Sequence, residues 1–309
     1  MDRKVRRFMK IALFGRSGQV GRELEQVLPA LGRLVTFDRS AADLEHPNSV
    51  RDIIRRESPD VVINAAAYTA VDKAESEANR ATLINADAVG VMAEEVARLG
   101  GWLVHYSTDY VFDGAKSGSY VETDPTGPLS VYGVTKLAGE QFVATSGCRH
   151  LIFRTSWVYA AHGSNFLRTI LRLVQERDEL SVVDDQVGAP TSAARIAAVT
   201  AAALGRLGSG EHGLPASGIY HLAAGGVTSW HGYAEFIAAT ARADGFPVRV
   251  APDRIRPIPS SAWPQAARRP ANSRLDTSKL QTTFDLKMTP WQNDVQQAVA
   301  TLLSRVQTA

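Results

Sequence analysis

Seven residues constrain this chain more than any others: Gly15, Arg16, Ser17, Gly18, Gln19, Val20 and Gly21. They follow a short apolar run at 10–14 and open an amphipathic segment at 19–28, which carries Val20, Leu24, Val27 and Leu28 on one face. A buried strand that turns through glycine straight into a helix aims free N–H groups and the positive end of the helix dipole at one point, where a pyrophosphate is favoured. The spacing is GxxGxxG and not GxGxxG, but the physical need is the same: small residues turn the chain tightly and let an anion approach the backbone. In this strand–turn–helix setting the loop reads as a dinucleotide site.

The alternation continues past the loop. Strands are expected at 34–37, Val61–Asn64, 102–107 and 150–155, and helices at Pro47–Glu57, 82–99 and Val131–Thr145. Short, continuously apolar strands alternating with helices are the pattern of a parallel sheet covered on both faces. The expected class is α/β, a Rossmann-type doubly wound parallel sheet. After about residue 156 the rhythm changes. Helical patterns at 166–177, 192–207, 232–243 and 291–306 are separated by Pro-, Gly-, Ser- and Arg-rich stretches. The longest, 247–270, holds six prolines and reads as a loop that covers a substrate. The expected division is a nucleotide-binding domain over 9–156, with parts of 180–230 returning to it. A smaller, mostly C-terminal substrate-binding α/β domain takes 157–309.

Lys and Arg number 34 against 32 Asp and Glu, a net charge of +2, so no broad basic field argues for nucleic acid or an anionic membrane. No apolar run approaches the ~20 residues of a membrane-spanning helix. The one cysteine, Cys148, cannot form an internal disulfide or a Cys-based zinc site, which fits a cytoplasmic protein. Residues 1–8 are basic and lead into only four apolar residues, which is too few for a secretory signal. They read as an extension upstream of a possible start at Met9.

Several positions fit the cofactor. Asp38 closes the second strand 17 residues after Gly21, where a carboxylate accepts from adenosine ribose hydroxyls. Arg16 and Arg39 suit a 2′-phosphate, so both NADH and NADPH are expected to work. Asp43 and Leu44 border the adenine, and the small side chains after Asn64 leave room for the cofactor. Tyr132 and Lys136 form a YxxxK pair, four apart on one helical face. A lysine cation beside the phenol is expected to lower its proton affinity and to hold a ribose. Ser107 and Thr108, at the end of the fourth strand, can offer a hydroxyl to the same carbonyl. A threonine, a tyrosine and a lysine around one oxygen make a hydride-transfer site.

The strings FGRSGQVG (14–21), NAAAYTAVDKAE (64–75), VHYSTDYVFDG (104–114), SVYGVTKLAGE (130–140), HLIFRTSWVYA (150–160), DQVGAPT (185–191), YHLAAGG (220–226) and RPANSRLDT (269–277) resemble the extended short-chain dehydrogenase/reductase superfamily. Within it they resemble the dTDP-4-dehydrorhamnose reductase family most. The resemblance implies reduction of a dTDP-4-dehydro sugar by NADPH or NADH, as the last step of dTDP-L-rhamnose synthesis. It implies cofactor contacts at Gly18, Gln19, Val20, Asp38, Asp43, Leu44, Ala67, Tyr68, Thr69, Tyr106 and Lys136. Thr108, in preference to Ser107, would hold the family's catalytic hydroxyl position and with Asp109 contact the sugar nucleotide, Tyr132 would be the proton donor, and Trp157 would lie against the substrate. Some relatives are described as dimers that hold magnesium between glutamates. Glu23 matches one of these, but Ala194 and the carboxylate-free segment 300–305 stand at the others. No metal is therefore expected, and the chain is expected to be a monomer or a weak homodimer. Two alternatives stay open at this point: another sugar-nucleotide reductase or epimerase of the superfamily, and a non-catalytic subunit resembling the regulatory beta subunit of methionine adenosyltransferase.

Overall fold

The structure is a computed structural model that describes residues 9–208 and 217–307. The expected extension at 1–8 lies outside the described residues. Strand β1 (Met9–Phe14) sets the pattern for the sheet. Ile11 and Leu13 enter one core, while Ala12 and Phe14 enter the core on the opposite face. Both sets are buried because both faces carry helices. Helix α1 (Gln19–Val27) buries Leu24 on the first face. Strand β2 (Gly32–Phe37) returns beside β1, and α2 (Pro47–Glu57) covers the second face with Val50, Ile53 and Ile54.

Strand β3 (Val61–Asn64) lies on the other side of β1 and is followed by the short helices α3 (Val71–Ala74) and α4 (Ala78–Thr82). The single helix expected at 82–99 is two pieces. A π-helical turn, Leu83–Asp87, precedes α5 (Ala88–Leu99). That wider turn faces buried Asn85 toward the loop after β3, a polar demand that hydrophobic periodicity does not reveal. Strand β4 (Trp102–Thr108), α6 (Val131–Thr145) and β5 (Arg149–Thr155) complete the first half.

The second half adds β6 (Val158–Tyr159), α7 (Phe166–Glu176), β7 (Leu180–Val183), β8 (Val187–Gly188), β9 (Thr191–Ser192) and α8 (Ala193–Gly208). Then follow β10 (Gly218–His221), β11 (Thr228–Ser229), α9 (Trp230–Ala243), β12 (Ile255–Ile258), α10 (Ser278–Phe284) and α11 (Trp291–Gln307). The main sheet runs β10-β5-β4-β3-β1-β2, all parallel. Chain order reverses between β1 and β3, and in such sheets ligands bind outside the carboxyl ends of the strands at that point. A separate core of Tyr159, Leu167, Ile170, Tyr233, Trp291 and Val295 unites α7, α9 and α11. The proline-rich 247–270 is not wholly irregular: Ile255–Ile258 pairs in parallel with Leu180–Val183. Pro257 is tolerated there because β12 pairs on one side only.

Candidate active site

A cavity of about 1150 Å³ opens along the carboxyl ends of β1, β2, β3 and β4. Its floor is the glycine loop. Gly15 has φ +83°, and a Cβ there would fall 2.6 Å from the Ala66 nitrogen, so only glycine lets β1 turn against β3. The Gly15 N–H donates to the Phe37 carbonyl at 2.8 Å, which ties the loop to the end of β2. Gly18 caps α1 with no side-chain partner, and no acid stands in the first turn, so the positive helix end is uncompensated. Gly21 does not line the cavity. A Cβ there would lie 2.1 Å from the Gly15 carbonyl oxygen, so its service is to let α1 pack on the loop.

At the β2 end, Asp38, Arg39, Asp43 and Leu44 line the cavity. One Asp38 oxygen accepts from the Ser40 hydroxyl at 2.6 Å and from the Ser40 and Ala41 N–H groups at 3.0 Å each. The Ser40 hydroxyl, then the Ala41 amide, hold this carboxyl below its usual range. The Arg39 guanidinium lies on Glu45, which Arg80 also holds at 2.8 Å. Arg16 departs from expectation. It does not line the cavity, because its guanidinium pairs with Glu25 at 2.9 Å on the next turn of α1.

The reacting end is built by close backbone approach. Ser130 caps α6 by accepting from the Gly133 N–H. A Cβ on Gly133 would fall 2.3 Å from the Tyr110 carbonyl, so glycine allows the first turn of α6 to meet the turn after β4. Tyr132 thereby packs edge-on against Tyr110, with ring centroids 5.6 Å apart, beside Thr108. The Thr108 hydroxyl donates to Asp109 at 3.1 Å. Burial, and then the Asp109 charge, push the Tyr132 phenol up to about 12, while the Thr108 hydroxyl pulls the other way. Burial pushes Asp109 itself up to about 6. Lys136 is buried; its ammonium position lies 2.7 Å from the Tyr106 carbonyl and 3.2 Å from His105 Nε2. Burial brings its proton affinity down to about 8, against a smaller opposing effect of Glu140. The expected lowering of the phenol by Lys136 is not among the effects acting on Tyr132 in this structure. Burial dominates both groups, and the lysine is turned toward β4.

Trp157 closes the far side. It has φ +49°, a strained backbone for a bulky residue, and its indole stacks on Trp230 with centroids 3.7 Å apart. Gly188 faces the indole, where a Cβ would lie 2.8 Å from Cε2. Arg269 reaches the same wall and binds Asp72 through two nitrogens, at 3.0 and 2.7 Å. Beyond Phe166, Trp230 and Arg269 lies a second cavity of about 750 Å³, roofed by Trp263, Pro264 and Arg268.

Gly15, Gly18, Gln19, Val20, Asp38, Arg39, Asp43, Leu44, Ala67, Tyr68, Thr69, Tyr106 and Lys136 all line the main cavity, together with Thr108, Asp109, Tyr132 and Trp157. Sequence reasoning missed Asn85, whose amide holds Tyr68 N–H and C=O and the Thr135 hydroxyl. It also missed Trp230 and Phe166, and the only available signal was an aromatic at a helix start. Glu23 accepts from His162 at 2.8 Å, and Arg195, next to Ala194, pairs with Asp294 at 2.6 Å. Among the described residues no group of three or more His, Cys, Asp or Glu is placed to hold a metal ion, and no helix is long and apolar enough to cross a membrane.

The family model described as RmlD substrate binding domain matches residues 9–304. A dTDP-4-dehydrorhamnose reductase of Burkholderia thailandensis is 50% identical over 298 residues, covering 96% of this chain and 100% of the relative. The enzyme of the same name from Escherichia coli K12 is 46% identical over 300 residues, covering 96% and 99%. A solved dTDP-4-dehydrorhamnose reductase from Bacillus anthracis, in complex with NADP, is 32% identical with a TM-score of 0.85, covering 95% and 99% of the two chains. A UDP-glucose 4-epimerase from Thermus thermophilus shares the fold, with a TM-score of 0.76 at 19% identity.

Proposed function

Because this chain belongs to the RmlD substrate binding domain family, whose near-full-length relatives are dTDP-4-dehydrorhamnose reductases, we propose which of its residues perform that reaction. The reaction is reduction of dTDP-4-dehydro-β-L-rhamnose to dTDP-β-L-rhamnose with NADPH or NADH. The observation that carries the residue assignment is that Thr108, Tyr132 and Lys136 open into the same cavity as the glycine loop. The site fits a dinucleotide: a Cβ-free turn, an uncompensated helix end and a carboxylate at the end of β2 follow one another along its floor. A reduced nicotinamide, when bound, supplies the hydride.

This chain's residues do the rest. Gly18, Gln19 and Val20 receive the pyrophosphate at the start of α1, and Asp38 with Asp43 borders the adenosine. Tyr132 is held protonated well above neutral pH, so it keeps a proton to give to the sugar C4 oxygen as charge develops there. Thr108, whose one hydroxyl hydrogen goes to Asp109 while the sugar is not bound, turns it to the same oxygen when the sugar binds. Asp109 orients Thr108 before the sugar binds and then contacts the sugar. Trp157 forms an apolar wall, and the second cavity beyond Arg269 takes the nucleotide half of the substrate. The domain division follows: residues 9–156 with returning parts of 180–230 hold the cofactor, and 157–309 mainly hold the sugar nucleotide. We read the protein as cytoplasmic and as a monomer or weak homodimer, with no nucleic-acid partner.

The test is incubation with NADPH and dTDP-4-dehydro-β-L-rhamnose, following loss of reduced-cofactor absorbance and formation of dTDP-β-L-rhamnose. Cofactor oxidation with that product is expected. Tight binding of both ligands without turnover would instead favour a non-catalytic role.

A further inference from the structure

A second phenol stands beside Tyr132, and the roles above leave it unused. Tyr110 lies in the turn after β4. Its N–H donates to Thr108 Oγ1 at 3.2 Å, and its carbonyl meets α6 where Gly133 has no Cβ. The backbone is therefore fixed from two sides, and the ring packs edge-on against Tyr132. The side chain lines the main cavity. Its hydroxyl has no hydrogen-bond partner among the described residues and is not sealed from solvent, so it opens on that cavity. The titratable groups around it are Asp109 and Tyr132 of the reacting end, and Arg269 and Asp72 at the wall between the two cavities.

Donor counting shows what that wall can hold. A guanidinium has five N–H groups. Arg269 gives three of them to protein: Nη1 donates to Asp72 Oδ1 and to the Ala267 carbonyl at 3.0 Å each, and Nη2 donates to Asp72 Oδ2 at 2.7 Å. The two left are Nε–H and the second hydrogen of Nη2, which point the same way and form a fork suited to a phosphate. Asp72 occupies the opposite edge, so an anion here meets N–H groups and not the carboxylate. Arg269 lines both cavities. A substrate with its C4 oxygen at Tyr132 and its nucleoside beyond Arg269 must carry its diphosphate past this wall, because C1 and C4 stand at opposite ends of a pyranose ring.

We propose that Tyr110 is a substrate-binding residue whose hydroxyl donates to the sugar-linked phosphate of the sugar nucleotide, beside the free fork of Arg269. Burial holds this phenol above its ordinary range, so it keeps its hydrogen at neutral pH. A phenol O–H given to a phosphate oxygen is a charge-assisted bond, stronger than one between neutral groups. The two phenols then divide the sugar between them: Tyr132 serves the C4 oxygen and Tyr110 the far end. This inference rests on the reading of the second cavity as the site of the nucleotide half.

The test is calorimetric titration of the full chain and of Tyr110→Phe with dTDP, dTMP and NADPH. The substitution removes a hydroxyl that no described residue bonds, so the fold keeps its contacts. dTDP carries both phosphates and no sugar; dTMP lacks the phosphate that would bear the sugar. Expected is a loss of dTDP affinity of about 10- to 100-fold, the size of a hydrogen bond to a charged group, with dTMP and NADPH nearly unchanged. In turnover the loss should fall on KM and not on kcat. Unchanged dTDP affinity, or an equal loss for dTMP, overturns the proposal. A fall in kcat with dTDP affinity intact overturns it too, by placing Tyr110 on the reacting oxygen. If the wild-type chain binds no dTDP, the reading of the second cavity falls and the assignment of Tyr110 falls with it.

Discussion

Asp38 and Asp109 line one cavity under opposite conditions. Asp38 is partly exposed and takes three donors on one oxygen, so its carboxyl is held below the usual range. Asp109 is 2% exposed, and desolvation outweighs its hydrogen bonds, pushing it up to about 6. The charged end is thus adapted to orient a polar ligand in water. The buried end is adapted to move a proton, because there the loss of solvent makes each protonation state costly. The same contrast separates Arg39, which lies largely exposed on Glu45, from Lys136, which lies buried on a carbonyl and a histidine.

The largest effect expected from this contrast lies at the buried end. Tyr132→Phe keeps the ring and removes the proton, so kcat should fall ~10²–10⁴-fold with cofactor binding retained, as steady-state kinetics and a cofactor titration would show. Near-wild-type turnover would place the acid elsewhere.

Asp109→Asn probes the cost of the buried carboxylate directly. Its folded proton affinity is raised, so its contribution favours folding at low pH and is lost as pH rises through about 6. The difference from the ordinary 3.8 corresponds to about 3 kcal/mol of penalty above that pH. The variant should therefore melt higher than wild type at pH 8, with the gain shrinking toward pH 5. Equal differences at both pH values would show that Asp109 is solvated.

At the exposed end effects should be small. Arg39→Ala should weaken NADPH binding by a few-fold, of the order of an exposed ion pair at about 0.2–1 kcal/mol, and leave NADH nearly unchanged. Equal losses for both cofactors would remove Arg39 from the 2′-phosphate. Smallest of all is the response to chelation. Magnesium gives up its water reluctantly, and Glu23 is already engaged by His162, so EDTA should change neither turnover nor the sedimenting mass. Lost activity or a dissociated dimer would reveal ligands elsewhere.

What the sequence determined was everything that depends on local spacing. The glycine loop, the apolar strands and the YxxxK pair are short-range patterns, and α6 spans Val131–Thr145 as its sequence pattern predicts. It also carried the line of cavity residues from Gly15 to Trp157, through resemblance in strings that span most of the chain. Only the tertiary structure decided what depends on contacts between distant segments. Arg16 pairs with Glu25 of α1, and Asn85 needs a π turn to reach Tyr68. Gly133 and Gly139 mark where α6 touches the turn after β4 and the π turn, and not merely where the chain is flexible. The protonation of Tyr132, Lys136 and Asp109 belongs to the same class. Burial sets it, and burial is a property of how β4, α6 and the covering segments meet, which no spacing along the chain records.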